Sequence, residues 1–508
     1  MEISHNGKCP STAGATLPMI LGLLLTAGCA TYGQSAEQVS AALKTWQRHQ
    51  YAASSEAGTT PMIVGTPAPT TTAPTATGDR VPPHQPLKAY IREALERNPC
   101  VATAVANLEA TLARVPQATA LPDPFVRNII RPEPIQTAAG DMYYTLGVGQ
   151  KIPFPAKLDR AGKVAAAEVR MAIEQLNAVR LRVIGDVERA WYSVYLMDRH
   201  LEVAEANVAI LEDLARVVVA RYEVAKVTQA DVLRVKTELA DLRNDLDIYR
   251  LRRSTAAAAL NQLRDYGPAR EVPHTQVVDP TPIAVETDVL IRLAETNNPE
   301  LARLARQRER DEEKLALADL GYWPDLTVGI EWTYTDPREP FKPPINPETG
   351  KRMAYNRQSE GGDDNWAFTI QFDVPLWIQK VEAARREARM KLLATDHERR
   401  GTRNLVAFRI FDNWARVQAK QKTQRLLDTV LIPQARQTYE VSLTGYQVGD
   451  TTFLTVIDNW QRWLQFEQMR HQNVTELDTA FSQLQQEVGL ELIRAPEPPT
   501  SSAREDAP

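Results

Sequence analysis

Seven histidines and three cysteines are the residues of this chain best suited to acid–base, nucleophilic or metal chemistry. His5, His49, His84, His200, His274, His397 and His471 are scattered, without the short spacings that bring imidazoles onto one metal ion. His200 and His397 read as solvated positions on helix faces. Cys9, Cys29 and Cys100 are too few for a disulfide framework. Carboxylates are plentiful, yet no glycine-rich phosphate loop follows a strand, and the methionines form no run that could act as a soft-metal stripe. An enzyme is not expected, and neither is a cofactor or a metal site. The net charge of −5 gives no reason to expect nucleic acid.

Cys29 is the exception, because its neighbours assign it a chemistry. The run from Leu17 to Gly28 is apolar, follows Lys8 and is too short to span a bilayer as a helix. It reads as a secretory signal over residues 1–28. Leu24-Leu25-Thr26-Ala27-Gly28-Cys29 resembles a bacterial lipobox, which implies that Cys29 becomes the first mature residue and carries lipid. Ordinary signal cleavage that leaves Cys29 unmodified is the alternative. Residues 29–87 contain an Ala/Thr/Pro-rich tether with little to bury, and 491–508 read as a disordered tail. No other stretch is apolar and long enough for a transmembrane helix, so a membrane-spanning form of this chain must span as strands.

Two segments alternate with a period of two. Leu326, Val328, Ile330, Trp332 and Tyr334 are separated by Thr327, Gly329, Glu331 and Thr333. Trp366, Phe368, Ile370, Phe372 and Val374 are separated by Ala367, Thr369, Gln371 and Asp373. Each run is about ten residues, the length a tilted strand needs to cross a bilayer. The period sends the large apolar side chains to one face and the small or polar ones to the other. The lipid-facing set would be Val328, Ile330, Trp332, Phe368 and Ile370, with Met142, Tyr144, Leu146 and Val148 as counterparts earlier in the chain. The proline-rich loop 336–364 between the two later strands is expected outside the cell.

The pattern occurs twice. Ile91-Arg92 and Asn98-Pro99 recur 200 residues later as Ile291-Arg292 and Asn298-Pro299. Pro122-Asp123 matches Pro324-Asp325, Ile152-Pro153 matches Val374-Pro375, and Tyr222-Glu223-Val224-Ala225 matches Tyr446-Gln447-Val448-Gly449. The chain is a tandem duplication of helix, strand, strand, helix, with repeats at 88–267 and 288–490 joined by a linker at 268–287. Val183, Val187, Ala190, Val194, Met197, Leu201, Ala204, Val208, Leu211, Ala215, Val218 and Tyr222 hold a heptad seam within a proline-free helix roughly 95 Å long. Pro433 interrupts the corresponding helix of the second repeat. Four strands cannot close a barrel, and lipid does not tolerate open edges. Strands that span therefore require further copies of the chain, and three copies would supply twelve strands.

Residues from about 88 to 490 resemble the outer-membrane efflux protein family, the TolC-like ducts, and most of all its lipoprotein branch serving pumps of the resistance-nodulation-division (RND) class. The duplicated order carries the resemblance, with the Ile-Pro and Val-Pro pairs and two tip motifs. These run from Tyr222 through Gln229-Ala230-Asp231-Val232-Leu233, and from Tyr446 through Thr455-Val456-Ile457-Asp458. The resemblance implies an α+β membrane protein: a homotrimer with a 12-strand β-barrel in the outer membrane, continued by a long periplasmic α-helical barrel. It implies docking to a periplasmic adaptor (membrane fusion) protein and an inner-membrane RND-type pump, with outer-membrane lipid around the barrel. By the same resemblance Asp458 is a constriction aspartate. Thr455 stands where a second is common, Asp450 adds charge nearby, and Tyr446 and Asp231 are a pair closing the two hairpins. Ala225 replaces the usual glycine at the first tip. A type I protein-secretion duct and a non-conducting coiled-coil lipoprotein remain as alternatives.

Overall fold

The computed structural model describes residues 86–137, 140–277, 286–336, 345–352 and 364–490. Cys29, the signal segment, most of the tether, the tail and much of loop 336–364 and of the inter-repeat linker lie outside the described residues. The order is α1 (Leu87–Arg97), α2 (Pro99–Leu112), α3 (Arg114–Thr119), β1 (Phe125–Thr137), β2 (Gly140–Ile152), α4 (Pro155–Glu223) and α5 (Gln229–Leu263). The second repeat gives α6 (Thr287–Asn297), α7 (Pro299–Asp319), β3 (Asp325–Asp336), β4 (Asn365–Asp373), α8 (Ile378–Leu426), α9 (Ile432–Val448) and α10 (Phe453–Val488). Two compact units divide the described chain, one containing residues 110–170 and 306–396, the other the remainder.

The first unit is built on one antiparallel sheet in the order β1-β2-β3-β4. Its register gathers the alternating residues into rows. Val126, Val148, Ile330 and Phe368 share one row, and Leu146, Trp332 and Trp366 another. The opposite face holds the rows Arg127-Gly147-Glu331-Ala367 and Phe125-Gly149-Gly329-Thr369. Glycine is needed in both. A Cβ on Gly147 would lie 2.8 Å from the Glu331 side chain, and one on Gly149 would enter the Phe125 ring. Their absence lets Arg127 reach across β2 to Glu331 at 2.9 Å and lets Phe125 lie on the sheet.

A register irregularity between Met142 and Tyr144 leaves Tyr143 as an extra residue in β2. Met142 therefore pairs with Thr335, on the face opposite Tyr334, and is not on the apolar side where alternation places it. At the end of the sheet towards α4, Lys151 meets Asp373 at 2.9 Å and Asp325 at 3.5 Å, and Lys157 meets Asp325 at 2.7 Å. These lysines separate the directly paired Asp325 and Asp373, which would otherwise repel.

The second unit is helical. Most of the α4 seam is buried, including Val187, Val194, Ala204, Leu211 and Val218. From Leu201 to Val218 it forms a core with Val235, Leu242 and Leu246 of α5, Tyr439 and Tyr446 of α9, and Phe453, Val456, Ile457 and Trp460 of α10. Trp460 donates its indole N–H to Asn207 at 2.8 Å, satisfying both buried groups. The Asn-Pro landmarks have a shared role. Asn98 caps α2 by accepting from the Cys100 N–H at 2.8 Å and donates to the Leu263 carbonyl at 2.8 Å. Asn298 accepts from Glu300 at 2.9 Å and donates to Glu487 at 2.7 Å. Each repeat thereby ties the end of its last helix to its first helix pair. Pro433 is accommodated by a π-helical turn at Leu427–Leu431 between α8 and α9. Proline has no N–H to donate, and its ring crowds the carbonyl four residues back, at Thr429; the widened turn makes room for it.

Candidate functional site

Both hairpin tips of the second unit end in the same backbone device. In the first, the Ala225 N–H donates to Tyr222 at 2.9 Å and the Lys226 N–H to Arg221 at 2.9 Å. In the second, Gly449 donates to Tyr446 at 3.2 Å and Asp450 to Gly445 at 2.9 Å. These paired bonds close a Schellman motif, whose penultimate residue takes a left-handed conformation. Gly449 has φ 97° and Ala225 φ 56°. Replacing glycine has thus kept the turn, with a Cβ held where L residues are disfavoured by about 1–2 kcal/mol.

The returning helices are capped alike. Thr228 accepts from the Asp231 N–H at 3.3 Å, while the Asp231 carboxylate accepts from the Thr228 N–H at 3.0 Å and hydroxyl at 2.8 Å. Thr452 accepts from the Thr455 N–H at 3.4 Å, and the two hydroxyls lie 2.9 Å apart. Asp231 and Thr455 therefore occupy the same position of their repeats, the third of a capped helix. The Asp231 carboxylate is engaged in its own cap, and no hydrogen bond from it to Tyr446 is present among the described residues. The Tyr446 side chain is buried, and burial raises its pKa while the adjacent Arg221 guanidinium opposes the rise.

Arg221 makes the connection between the hairpins. Its guanidinium donates to the backbone carbonyls of Tyr446 and Gln447, the latter at 2.7 Å, and lies 4.7 Å from the centre of the Tyr446 ring. A cation from the end of α4 thus satisfies the last carbonyls of α9, at the negative end of that helix. Sequence reasoning missed Arg221, since an arginine in a final helical turn is indistinguishable from a solvated one until its neighbour is known.

Asp458 is exposed on α10 and faces Arg234 of α5, with the charged atoms 3.6 Å apart. Arg234 precedes Asp458 by 224 residues, the interval that separates Tyr222 from Tyr446, so it is the counterpart of Asp458 in the first repeat. That interval was the signal that could have found it. Gln461 donates to Glu238 at 3.0 Å one turn further along the same helices. Asp450 is exposed in the second tip.

In the sheet, Val328, Ile330 and Trp332 are half-buried, while Phe368 and Ile370 are exposed, Phe368 at 70%. His200 departs from expectation. Both its ring nitrogens are buried without a partner, against Tyr249 at 5.0 Å, and burial, aided by Arg252, pushes its pKa down to about 4. No helix among the described residues is long and apolar enough to cross a membrane.

The model of the outer membrane efflux protein family matches residues 90–264 and 290–490. A search of curated proteins found no match. Among solved structures, the outer membrane protein VceC of Vibrio cholerae superposes with a TM-score of 0.63 at 18% identity, covering 79% of this chain and 96% of its own. The outer membrane channel CmeC of Campylobacter jejuni gives 0.63 at 12%, covering 79% and 85%. The outer membrane channel MtrE of Neisseria gonorrhoeae, in its open state, gives 0.62 at 14%, covering 80% and 89%. With both repeats matched in order, the chain belongs to the outer membrane efflux protein family and is a transport duct of the outer membrane, not an enzyme.

Proposed function

We propose that three copies of this chain form the exit duct of a tripartite efflux system. Their strands make a twelve-stranded outer-membrane barrel, and their long helices make a barrel in the periplasm. That end meets a periplasmic adaptor and an inner-membrane RND-type pump. Cys29 carries the lipid that anchors each mature N-terminus, and the duct narrows at the hairpin tips around Asp458, with Asp450 and Thr455 beside it. Small molecules or metal ions pass through as cargo.

The observation that carries this reading is the four-stranded sheet. One face is predominantly apolar, interrupted by Asn128 and Gln150, and exposed at both edges, with Val126 and Phe368 each 70% accessible. The other carries Arg127, Glu331, Lys151 and Asp373. A sheet wet on both sides has no use for the first face, and two unpaired edges are not tolerated in lipid. Reconstitution into planar bilayers tests it. The wild-type protein should insert as a trimer and conduct. Phe368→Arg should lower membrane stability by roughly 2–4 kcal/mol if the site lies near the midplane. A non-conducting wild-type monomer, or a Phe368→Arg variant as stable as the parent, would remove the reading.

A further inference from the structure

We propose that Arg97, Tyr266 and Arg270 form a binding site for a polyvalent oxyanion, a phosphate or a carboxylate, where the first repeat passes into the linker. The chain leaves α5 through a Schellman turn: Asp265 donates to Gln262 at 3.2 Å and Tyr266 to Asn261 at 2.9 Å, with Asp265 at φ 55°. The turn brings the Tyr266 ring among three guanidiniums. The central carbon of Arg270 lies 3.6 Å from the ring centre, that of Arg97 from α1 4.4 Å, and that of Arg264 5.1 Å. Only Arg264 is neutralised, by Glu93 at 2.9 Å. Its pKa is lowered by burial, with the Arg270 charge adding to the effect and Glu93 and Tyr90 opposing it. Asp198 is fully buried and already accepts from Arg253, His274 and the N–H and hydroxyl of Thr275. Among the described residues neither Arg97 nor Arg270 has a carboxylate within ion-pair distance. The end of α1 offers Arg97 only a partial negative charge.

The second repeat shows that the scaffold does not need these charges. It makes the same junction, with Asn298 in the place of Asn98, Glu487 in that of Leu263, and Gly489 at φ 83° in that of Asp265. By the same intervals Tyr90 corresponds to Leu290, Glu93 to Leu293, Arg97 to Asn297, Arg264 to Val488 and Tyr266 to Leu490. Leu290 and Val488 are fully buried in an apolar cluster. Aliphatic packing therefore closes one junction, while the other holds like charges together without matching acids. The two distances to the Tyr266 ring keep the Arg97 and Arg270 carbons no further apart than their sum, about 8 Å. Two charge-assisted hydrogen bonds of about 2.7–2.9 Å span most of that gap, and the width of one oxyanion covers the rest. Stacking on the ring fixes the guanidinium planes and leaves their N–H edges free to donate.

Isothermal titration of the full chain in mild detergent tests the site, with pyrophosphate and citrate as probes and sodium chloride holding the ionic strength constant, so that screening is not mistaken for binding. The wild-type protein should bind one anion per chain with a Kd of about 1 mM or tighter. Arg97→Asn and Tyr266→Leu install the residues of the second repeat, and Arg270→Gln removes the other charge; each should weaken binding by about tenfold or more. Arg97→Lys keeps the charge and loses the planar fork, so it should bind more weakly than the parent and more tightly than Arg97→Asn. Circular dichroism confirms that each variant is folded, and one folded variant suffices for the comparison. Binding of pyrophosphate alone assigns a phosphate ligand, binding of citrate alone a carboxylate, and binding of both an oxyanion of either kind. A wild-type protein that binds neither probe, or folded variants that bind as the parent does, overturns the site. Conductance does not enter the readout, so a conducting duct that binds no anion loses this site alone, and a chain that binds the anion without conducting loses only the duct.

Discussion

Within its own chain Asp458 is paired with Arg234, so three-fold assembly would bring together carboxylates and guanidiniums, not bare carboxylates. Both partners are largely exposed, and such a pair contributes roughly 0–1 kcal/mol to stability; its consequence is for charge. Asp458→Ala should leave Arg234 uncompensated and move single-channel selectivity towards anions. Arg234→Ala should move it towards cations and strengthen block by divalent cations. Shifts of about threefold in permeability ratio match the free-energy scale of an exposed pair, and the double variant should be less than additive. Unchanged selectivity in both single variants would place the constriction elsewhere. The Ala225 turn gives a simpler test. Ala225→Gly should raise stability by about 0.5–1 kcal/mol, because the strain relieved at positive φ exceeds the added chain entropy; a loss of stability in denaturant titration would refute this. At this scale the sequence placed Asp458, Thr455 and Tyr446 at the tips. It could not assign hydrogen bonds, because whether Asp231 reaches a neighbouring hairpin or folds back onto Thr228 depends on local rotamers.

At the scale of elements, periodicity carried most of the information. The strand faces and the α4 seam were legible because one buried or lipid-facing surface imposes one period. The irregularity at Tyr143 was not, since an inserted residue leaves the composition of a strand unchanged and alters only its phase. Nor was the environment of His200. It lies one residue before the seam position Leu201, and α5 and α10 pack over it from other parts of the chain. His471 of α10 stands 6.4 Å from Tyr195 and is likewise buried. Burial pushes its pKa down to about 4, with Arg470, Arg199 and His200 adding to the effect and Asp428 opposing it. Tyr249 and Arg252 of α5 and Gln468 of α10 complete the surroundings. The unfolded chain binds protons at these histidines near pH 6.5, and the folded chain only near 4. Their neutral, buried state therefore contributes stability in full above about pH 6.5, and it is lost as the pH falls towards 4. Denaturant unfolding in detergent should show a decline of about 2–3 kcal/mol per histidine, about 5 kcal/mol for the two, between pH 7 and pH 4.5. His200→Phe with His471→Leu should flatten that dependence; an undiminished slope would assign it to carboxylates instead.

Duplication organises the whole molecule, and the two repeats have diverged where their partners differ. Tyr446 is buried while its counterpart Tyr222 is 46% exposed; Asp458 has Arg234 as its counterpart, and Lys151 has Asp373. Such opposed pairs suit an assembly in which the two repeats alternate around a ring, each meeting the other and never itself. In that assembly membrane attachment has two independent sources, the strand face and the lipid expected on Cys29. One lipidated residue gives a modest, reversible membrane affinity, whereas a closed barrel holds its strands through backbone pairing that lipid cannot replace. Cys29→Ala should therefore abolish metabolic lipid labelling and shift the mature N-terminus while leaving trimers in the outer membrane and conductance within about twofold of the parent, because loss of an anchor that adds to the barrel changes the attachment and not the pore. Membrane fractionation, labelled-fatty-acid incorporation and bilayer recording measure the three quantities separately. Loss of the trimer along with the label would show that the lipid is needed for assembly, and labelling that persists in Cys29→Ala would place the modification on another residue.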